Sequence, residues 1–204
     1  KLGAAPFGLT LLPEVSTVVN NISLSFYGGE TALAAYAVIA YVAFFVQIMI
    51  QSVGDGSQPL ISVYRGAGDA DAVRRLRNTN YLVAIAFGFV GLGIMFAVRN
   101  AIPLLFGASD VVKPVIAYAL PVFSICYIFY GFTHTTTSYF YAVDDSRSSN
   151  TLVIAEAIIV CVVVFIMGLL FQVDGIWFSP TVLQMLLCII AGTLLYRRHK
   201  AQKE

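Results

Sequence analysis

Six runs of mainly apolar residues, each long enough to cross a bilayer, leave this sequence few ways to fold. About 20 such residues carry an α-helix across the ~30 Å hydrocarbon layer of a bilayer. Inside lipid, backbone polar groups are satisfied only by helices or closed barrels. No alternating apolar–polar pattern competes with the runs, so the chain reads as an all-α integral membrane protein, one lobe of six transmembrane helices. The spans are expected at about 6–27, 30–64, 81–98, 110–142, 150–172 and 177–196. Only 11% of the 204 residues are charged, against about 25% in a soluble domain. The lipid bilayer is the surrounding this implies; nucleic acid is not a partner. The sequence opens at Lys1 rather than methionine and reads as a fragment or a mature product.

The stretch 51–77, QSVGDGSQPLISVYRGAGDADAVRRLR, passes from an apolar run into a cluster of arginines and therefore crosses from lipid to water. Gly54, Asp55, Gly56 and Pro59 loosen a helix and free backbone groups, so this part is expected to be irregular and to pack on protein or line a wet cavity. Gly66 to Asp69 form a turn, and Asp69 caps a short basic helix at 70–77, expected to lie at the interface. Residues 101–109 read as an interfacial connection, and Pro121 is expected to kink the fourth span. With six spans, ten of the 12 Lys and Arg residues fall on the side of the two termini, and only Arg99 and Lys113 fall opposite. The positive-inside bias makes both ends cytoplasmic in a multi-pass protein of the cell (inner) membrane. Cys126, Cys161 and Cys188 sit within apolar runs at no metal spacing and read as small core residues.

Polar residues within the spans carry the functional signal. Glu14 lies near the middle of the first span, and a carboxylate there needs pairing, hydration or a proton. Thr10, Glu14, Thr17 and Asn21 follow steps of three and four and share one helix face. Hard oxygen donors of this kind suit H⁺ or Na⁺; a protonated glutamic acid bonded to a neighbouring helix is the plainer alternative. Gln47, Gln51 and Asp55 recur every four residues, with Gln58 three further on. Asp55 is read mainly as a cap of the break beside it or as partner of a loop arginine. On the fourth span Tyr127, Tyr130, His134, Thr137 and Tyr141 share a face, and aromatic rings with hydroxyls suit an organic cation. Such stripes more often serve helix packing, and an interfacial belt accounts for Tyr141. His134 titrates near neutral pH when unperturbed and suits proton relay, or sits buried and neutral. Glu156 is a second ionisable site or a partner for Arg147. No acid lies near His134 in sequence and no phosphate loop or hydrolase motif occurs, so an enzyme is not expected.

At Tyr27-Gly28-Gly29, Ala34-Ala35-Tyr36, Gly54-Asp55-Gly56-Ser57-Gln58-Pro59-Leu60-Ile61-Ser62 and Tyr64-Arg65-Gly66-Ala67-Gly68 the chain resembles the carboxy-terminal lobe of MATE (multidrug and toxic compound extrusion) transporters. Tyr139-Phe140-Tyr141-Ala142, leading into a short polar loop, resembles the end of that lobe's fourth helix. The resemblance covers essentially the whole chain in helix order. It implies a twelve-helix antiporter of two six-helix lobes, driven by H⁺ or Na⁺ and without a further cofactor, in which this chain supplies the second lobe and an N-terminal six-helix lobe is its partner. The cargo would be a small organic cation or drug. Glu14 falls in the seventh helix of that whole, where a membrane glutamate is implicated in cation coupling in some branches. The expected coupling set is therefore Glu14, Thr17, Asn21 and Glu156. The expected cavity is lined by Gln47, Gln51, Tyr127, Tyr130, His134 and Thr137. Two departures stand out: His134 and threonines replace an aspartate that some members carry on the fourth span, and Glu156 stands where bacterial relatives often have a basic residue. A flippase for a lipid-linked substrate, an intramembrane enzyme and a non-transporting half are the rival readings. The intramembrane faces singled out above carry Glu14 and Glu156 but no Lys or Arg, which disfavours a phosphate-bearing cargo.

Overall fold

Two helices are too long to be single spans. The structure, a computed structural model, describes residues 4–201, with side chains from 15 to 200. Helix α1 (Ala4–Gly66) has 63 residues and α6 (Ser146–Ala201) has 56; straight, they would extend about 95 and 84 Å. Each instead doubles back. α1 turns at Gly29, with φ 62° and ψ −160°, a conformation that a Cβ makes very costly. Ser16 and Thr17 consequently face Tyr36 and Ala40 across one cavity. α6 turns at Gln172, with φ 52° and ψ −131°, and this brings Gln184 back to Glu156.

The remaining elements are α2 (Ala70–Val98), α3 (Ile102–Leu105), α4 (Val112–Ser124) and α5 (Cys126–Ala142). α4 and α5 form one span bent by 41°. The bend lies one turn beyond Pro121, where the Ile125 amide donates to the Val122 carbonyl and tightens the helix to an i→i−3 turn. Counting the two arms of α1 and of α6 separately, and α4–α5 as one, the described residues form six helical arms long enough to be spans.

Two local expectations are corrected. The basic segment 70–77 is not a separate interfacial helix, because α2 runs unbroken through 29 residues. Asp69 caps it through the Ala72 amide at 2.8 Å, and no glycine or proline interrupts it before Gly88. At about 43 Å it exceeds the hydrocarbon layer, so its basic end projects from the bilayer. The second arm of α1 is likewise not broken by Gly54, Gly56 and Pro59, since Gly29 is the non-helical residue within α1. Gly54 serves close packing: a Cβ there would stand 2.9 Å from Ser138 Oγ and 3.3 Å from Thr135 Cα.

Lipid supplies little hydrophobic drive between helices, so small residues that admit close contact hold the bundle. Along the α2–α5 seam a Cβ on Gly88 would lie 2.6 Å from the Tyr127 carbonyl oxygen, and one on Gly131 would lie 2.7 Å from that of Ala84. Leu24, Tyr36, Ile39, Ile50 and Trp177 are buried in the centre, while Phe26, Phe45, Leu82 and Leu170 are exposed, as a lipid-facing rim requires.

Candidate functional site

The close approach at Gly54 sets the site. It presses the second arm of α1 onto α5, so the polar face of one meets the polar face of the other. Between them and the two arms of α6 lies a cavity of about 410 Å³. Gln47, Gln51, Asp55 and Gln58 line it from α1; Tyr130, Thr133, His134, Thr137 and Ser138 from α5; Glu156 and Gln184 from α6. Thr17 reaches it from the first arm of α1, with Tyr36 and Phe123 on the wall.

Two polar networks cross it. In the first, Asp55 Oδ1 accepts from Ser138 Oγ at 2.8 Å and from Gln58 Nε2 at 3.0 Å, and lies 3.1 Å from His134 Nε2. Gln51 Nε2 donates to the Tyr130 hydroxyl, and the Tyr130 and His134 rings stand 5.6 Å apart. In the second, Thr133 Oγ1 donates to Gln184 Oε1 at 2.6 Å, and Gln184 Nε2 donates to Glu156 Oε1 at 3.1 Å. Buried amides and hydroxyls in lipid must find such partners. Two carboxylates and an imidazole share the cavity, and no lysine or arginine is among the described residues lining it. Rings, hydroxyls and carboxylates together can hold a proton or a cation.

Gln47, Gln51, Tyr130, His134, Thr137, Thr17 and Glu156 thus share one space. Tyr127 does not: it is fully buried, with its ring against Gly91 on the α2 side of α5, so packing claims this member of the stripe. Asn21 also lies elsewhere, in an open groove with Ile22, Ser25 and Phe26; its neighbour Asn20 turns inward and bonds the Ser16 carbonyl at 2.8 Å. The side chains of Thr10 and Glu14 lie outside the described residues. Asp55 neither caps a break nor pairs with a loop arginine, and an acid does stand beside His134 after all. Glu156 bonds Gln184 rather than Arg147. Gln184 was missed altogether; its signal was a lone amide inside the apolar sixth span. Ser138 donates to Asp55, so serine, histidine and aspartate do not line up as the hydroxyl–imidazole–carboxylate relay of a hydrolase. Among the described residues no three of His, Cys, Asp and Glu converge as a metal site.

The MatE family model matches residues 9–167. The chain belongs to the MatE family. The multidrug export protein MepA of Staphylococcus saprophyticus is 21% identical over 196 residues, covering 96% of this chain and 43% of the relative. MepA of Staphylococcus aureus strain NCTC 8325 is 23% identical over 199 residues, with the same coverage. The chain therefore spans less than half the length of the curated relatives it matches. A crystal structure of MATE in the bent conformation superposes with a TM-score of 0.87 at 14% identity, over 96% of this chain and 44% of that one. A MOP superfamily transporter from Pyrococcus furiosus, described as having a binding pocket of reverse polarity that suggests a different function, gives 0.88 at 15%, over 96% and 45%. The fold is that of half a MATE transporter. MatE proteins are multi-pass membrane transporters, not enzymes, and multidrug export is the activity in the relatives' name.

Proposed function

We propose that this MatE chain is the C-terminal half of a twelve-helix antiporter that exports organic cations or drugs across the cell membrane in exchange for H⁺ or Na⁺. The observation that carries the reading is the sign of the cavity. Asp55, Glu156 and His134 line it, and among the described residues no lysine or arginine does. An acidic, aromatic-walled cavity attracts a cation and repels the phosphates of a lipid-linked cargo. Glu14, Thr17 and Glu156 are the proposed coupling residues, with Asn21 set aside because it faces another groove. Gln47, Gln51, Tyr130, His134 and Thr137 are the proposed cargo contacts. An N-terminal six-helix lobe is the proposed partner, and a cytoplasmic side for both ends of this chain is proposed from the distribution of basic residues.

The test uses the full-length protein in liposomes, with a pH or Na⁺ gradient driving a fluorescent cationic dye. Gradient-dependent dye movement that survives purification but is lost in Glu14→Gln and Glu156→Gln supports the reading. Wild-type rates in both variants remove these carboxylates from coupling. Movement of an anionic lipid-linked probe in place of the dye replaces the reading with a flippase.

A further inference from the structure

A second, positively charged cavity lies at the basic end of the bundle. It has about 550 Å³ and forms where the ends of α1, α5 and α6 meet the start of α2. Arg65, Arg74, Arg77 and Arg198 line it against one acid, Asp71, a formal charge of +3 with His199 neutral. We propose that this cavity binds the phosphate headgroup of an anionic membrane lipid.

The arrangement exceeds what topology or helix ends require. Arg65 and Arg198 stand in the last turns of α1 and α6, where cations complement the helix dipole. Arg74 and Arg77 sit in the early turns of α2, where the dipole gives them no such reason. Two guanidinium groups converge on one ring: Arg77 stands 5.3 Å and Arg198 5.9 Å from the centroid of Tyr139. Asp145 meets Arg198 at 2.7 Å, yet Arg198 Nε is buried without a hydrogen-bond partner. Arg65 and Arg74 form no ion pair with any described residue. Guanidinium groups that crowd together, two of them without an ion pair, fit an anion rich in acceptor oxygens, and they match phosphate in bidentate geometry. The position selects the source. α2 carries these arginines out of the hydrocarbon layer at the level of lipid headgroups, where juxtamembrane basic clusters attract anionic lipid.

The test reconstitutes the full-length protein in nanodiscs of phosphatidylcholine with a small fraction of phosphatidylglycerol and reads the retained lipid by native mass spectrometry. Phosphatidylglycerol is expected to be retained over phosphatidylcholine. Retention in Arg74→Gln/Arg77→Gln is expected to fall about 30-fold, since each basic residue near the surface is worth a factor of about five. Arg74→Lys/Arg77→Lys keeps the charge and the topological signal but loses the fork, and is expected to bind several-fold more weakly than wild type. Full retention by the lysine variant would reduce the site to diffuse surface charge and overturn the proposal. So would equal retention of the two lipids, or displacement of phosphatidylglycerol by millimolar inorganic phosphate, which would make a free anion the ligand.

Discussion

The α2–α5 seam yields a substitution whose sign depends on place alone. Gly88→Ala puts a methyl group 2.6 Å from the Tyr127 carbonyl oxygen, 2.9 Å from its carbon and 3.1 Å from Ile128 Cα. All three are backbone atoms, so no rotamer change relieves the contact and α5 must withdraw. Overpacking of this kind costs about 1–3 kcal/mol. Alanine is also a better helix former than glycine by about 1 kcal/mol, which would blur a single measurement. Gly93 provides the control, because it lies in the same helix and a Cβ there meets nothing within 4 Å. The propensity term is common to both, so the difference between Gly88→Ala and Gly93→Ala isolates the packing term. Gly93→Ala is expected to raise the midpoint of thermal unfolding in detergent slightly. Gly88→Ala is expected to melt a few degrees below Gly93→Ala, at about 2–4 °C per kcal/mol for a unit of this size. The fluorescence of Trp177, the one tryptophan in the sequence and only 1% exposed, follows the transition. Equal midpoints would refute the claim that backbone contact at Gly88 sets the distance between α2 and α5. They would also undercut the account of how the cavity wall on α5 is positioned.

Other substitutions test the site and its supports. Asp55→Asn keeps an oxygen for Ser138 and Gln58 but removes the charge beside His134; cationic dye is expected to bind roughly fivefold more weakly, measured as a rise in KM, and an unchanged KM would take Asp55 out of cargo binding. Gln184→Leu strips both Thr133 and Glu156 of their shared partner, so transport is expected to fall while the protein still inserts; wild-type rates would show that the second network is packing alone. Gln172→Gly relieves a positive φ on a residue with a Cβ, and a net gain of about 1 kcal/mol in thermal stability is expected; a loss would mean that the turn is unstrained. Partial burial pushes the Asp145 carboxyl up, but bonds from the Ser148 amide and hydroxyl and from Arg198 outweigh it and hold the group below the usual carboxylate range. A depressed folded value means that this pairing stabilises above the ordinary aspartate range and is lost as pH falls through the folded value. Asp145→Asn should therefore lower stability at neutral pH and flatten its acid dependence, and unchanged melting at pH 7 would count against it.

Much of the fold was legible because lipid enforces simple rules. Two of the expected spans end at residue 27 and at residue 172, and the chain turns at Gly29 and at Gln172. The glycines and proline of 54–59 misled because the same residues either break a helix or let another helix approach, and only the neighbour at Ser138 decides which. Of the stripe on α5, Tyr130, His134, Thr137 and Tyr141 line the cavity and Tyr127 does not. A face defined by steps of three and four spans a wide arc, and α2 takes one edge of it while the cavity takes the other. Asn21 failed in the same way on α1. The pairing of Asp55 with His134 is separated by 79 residues and depends on the packing at Gly54, which no local pattern reports.

The adjacent residues Thr133 and His134 belong to different networks. His134 joins α5 to the second arm of α1 through Asp55, and Thr133 joins it to α6 through Gln184. α5 is thus held from two sides by polar contacts, and at its start the chain bends by 41° from α4. A ligand shifts a conformational equilibrium only through different affinities for its states. A cation or proton taken up by Asp55–His134 changes the bonds on one side of α5, and one taken up at Glu156 changes those on the other. On the proposed antiporter reading, either event would bias how α5 leans between its neighbours, with the α4–α5 bend as the hinge. On that same reading, a cavity built this way would couple ion and cargo without requiring them to touch, because both would act on the same helix.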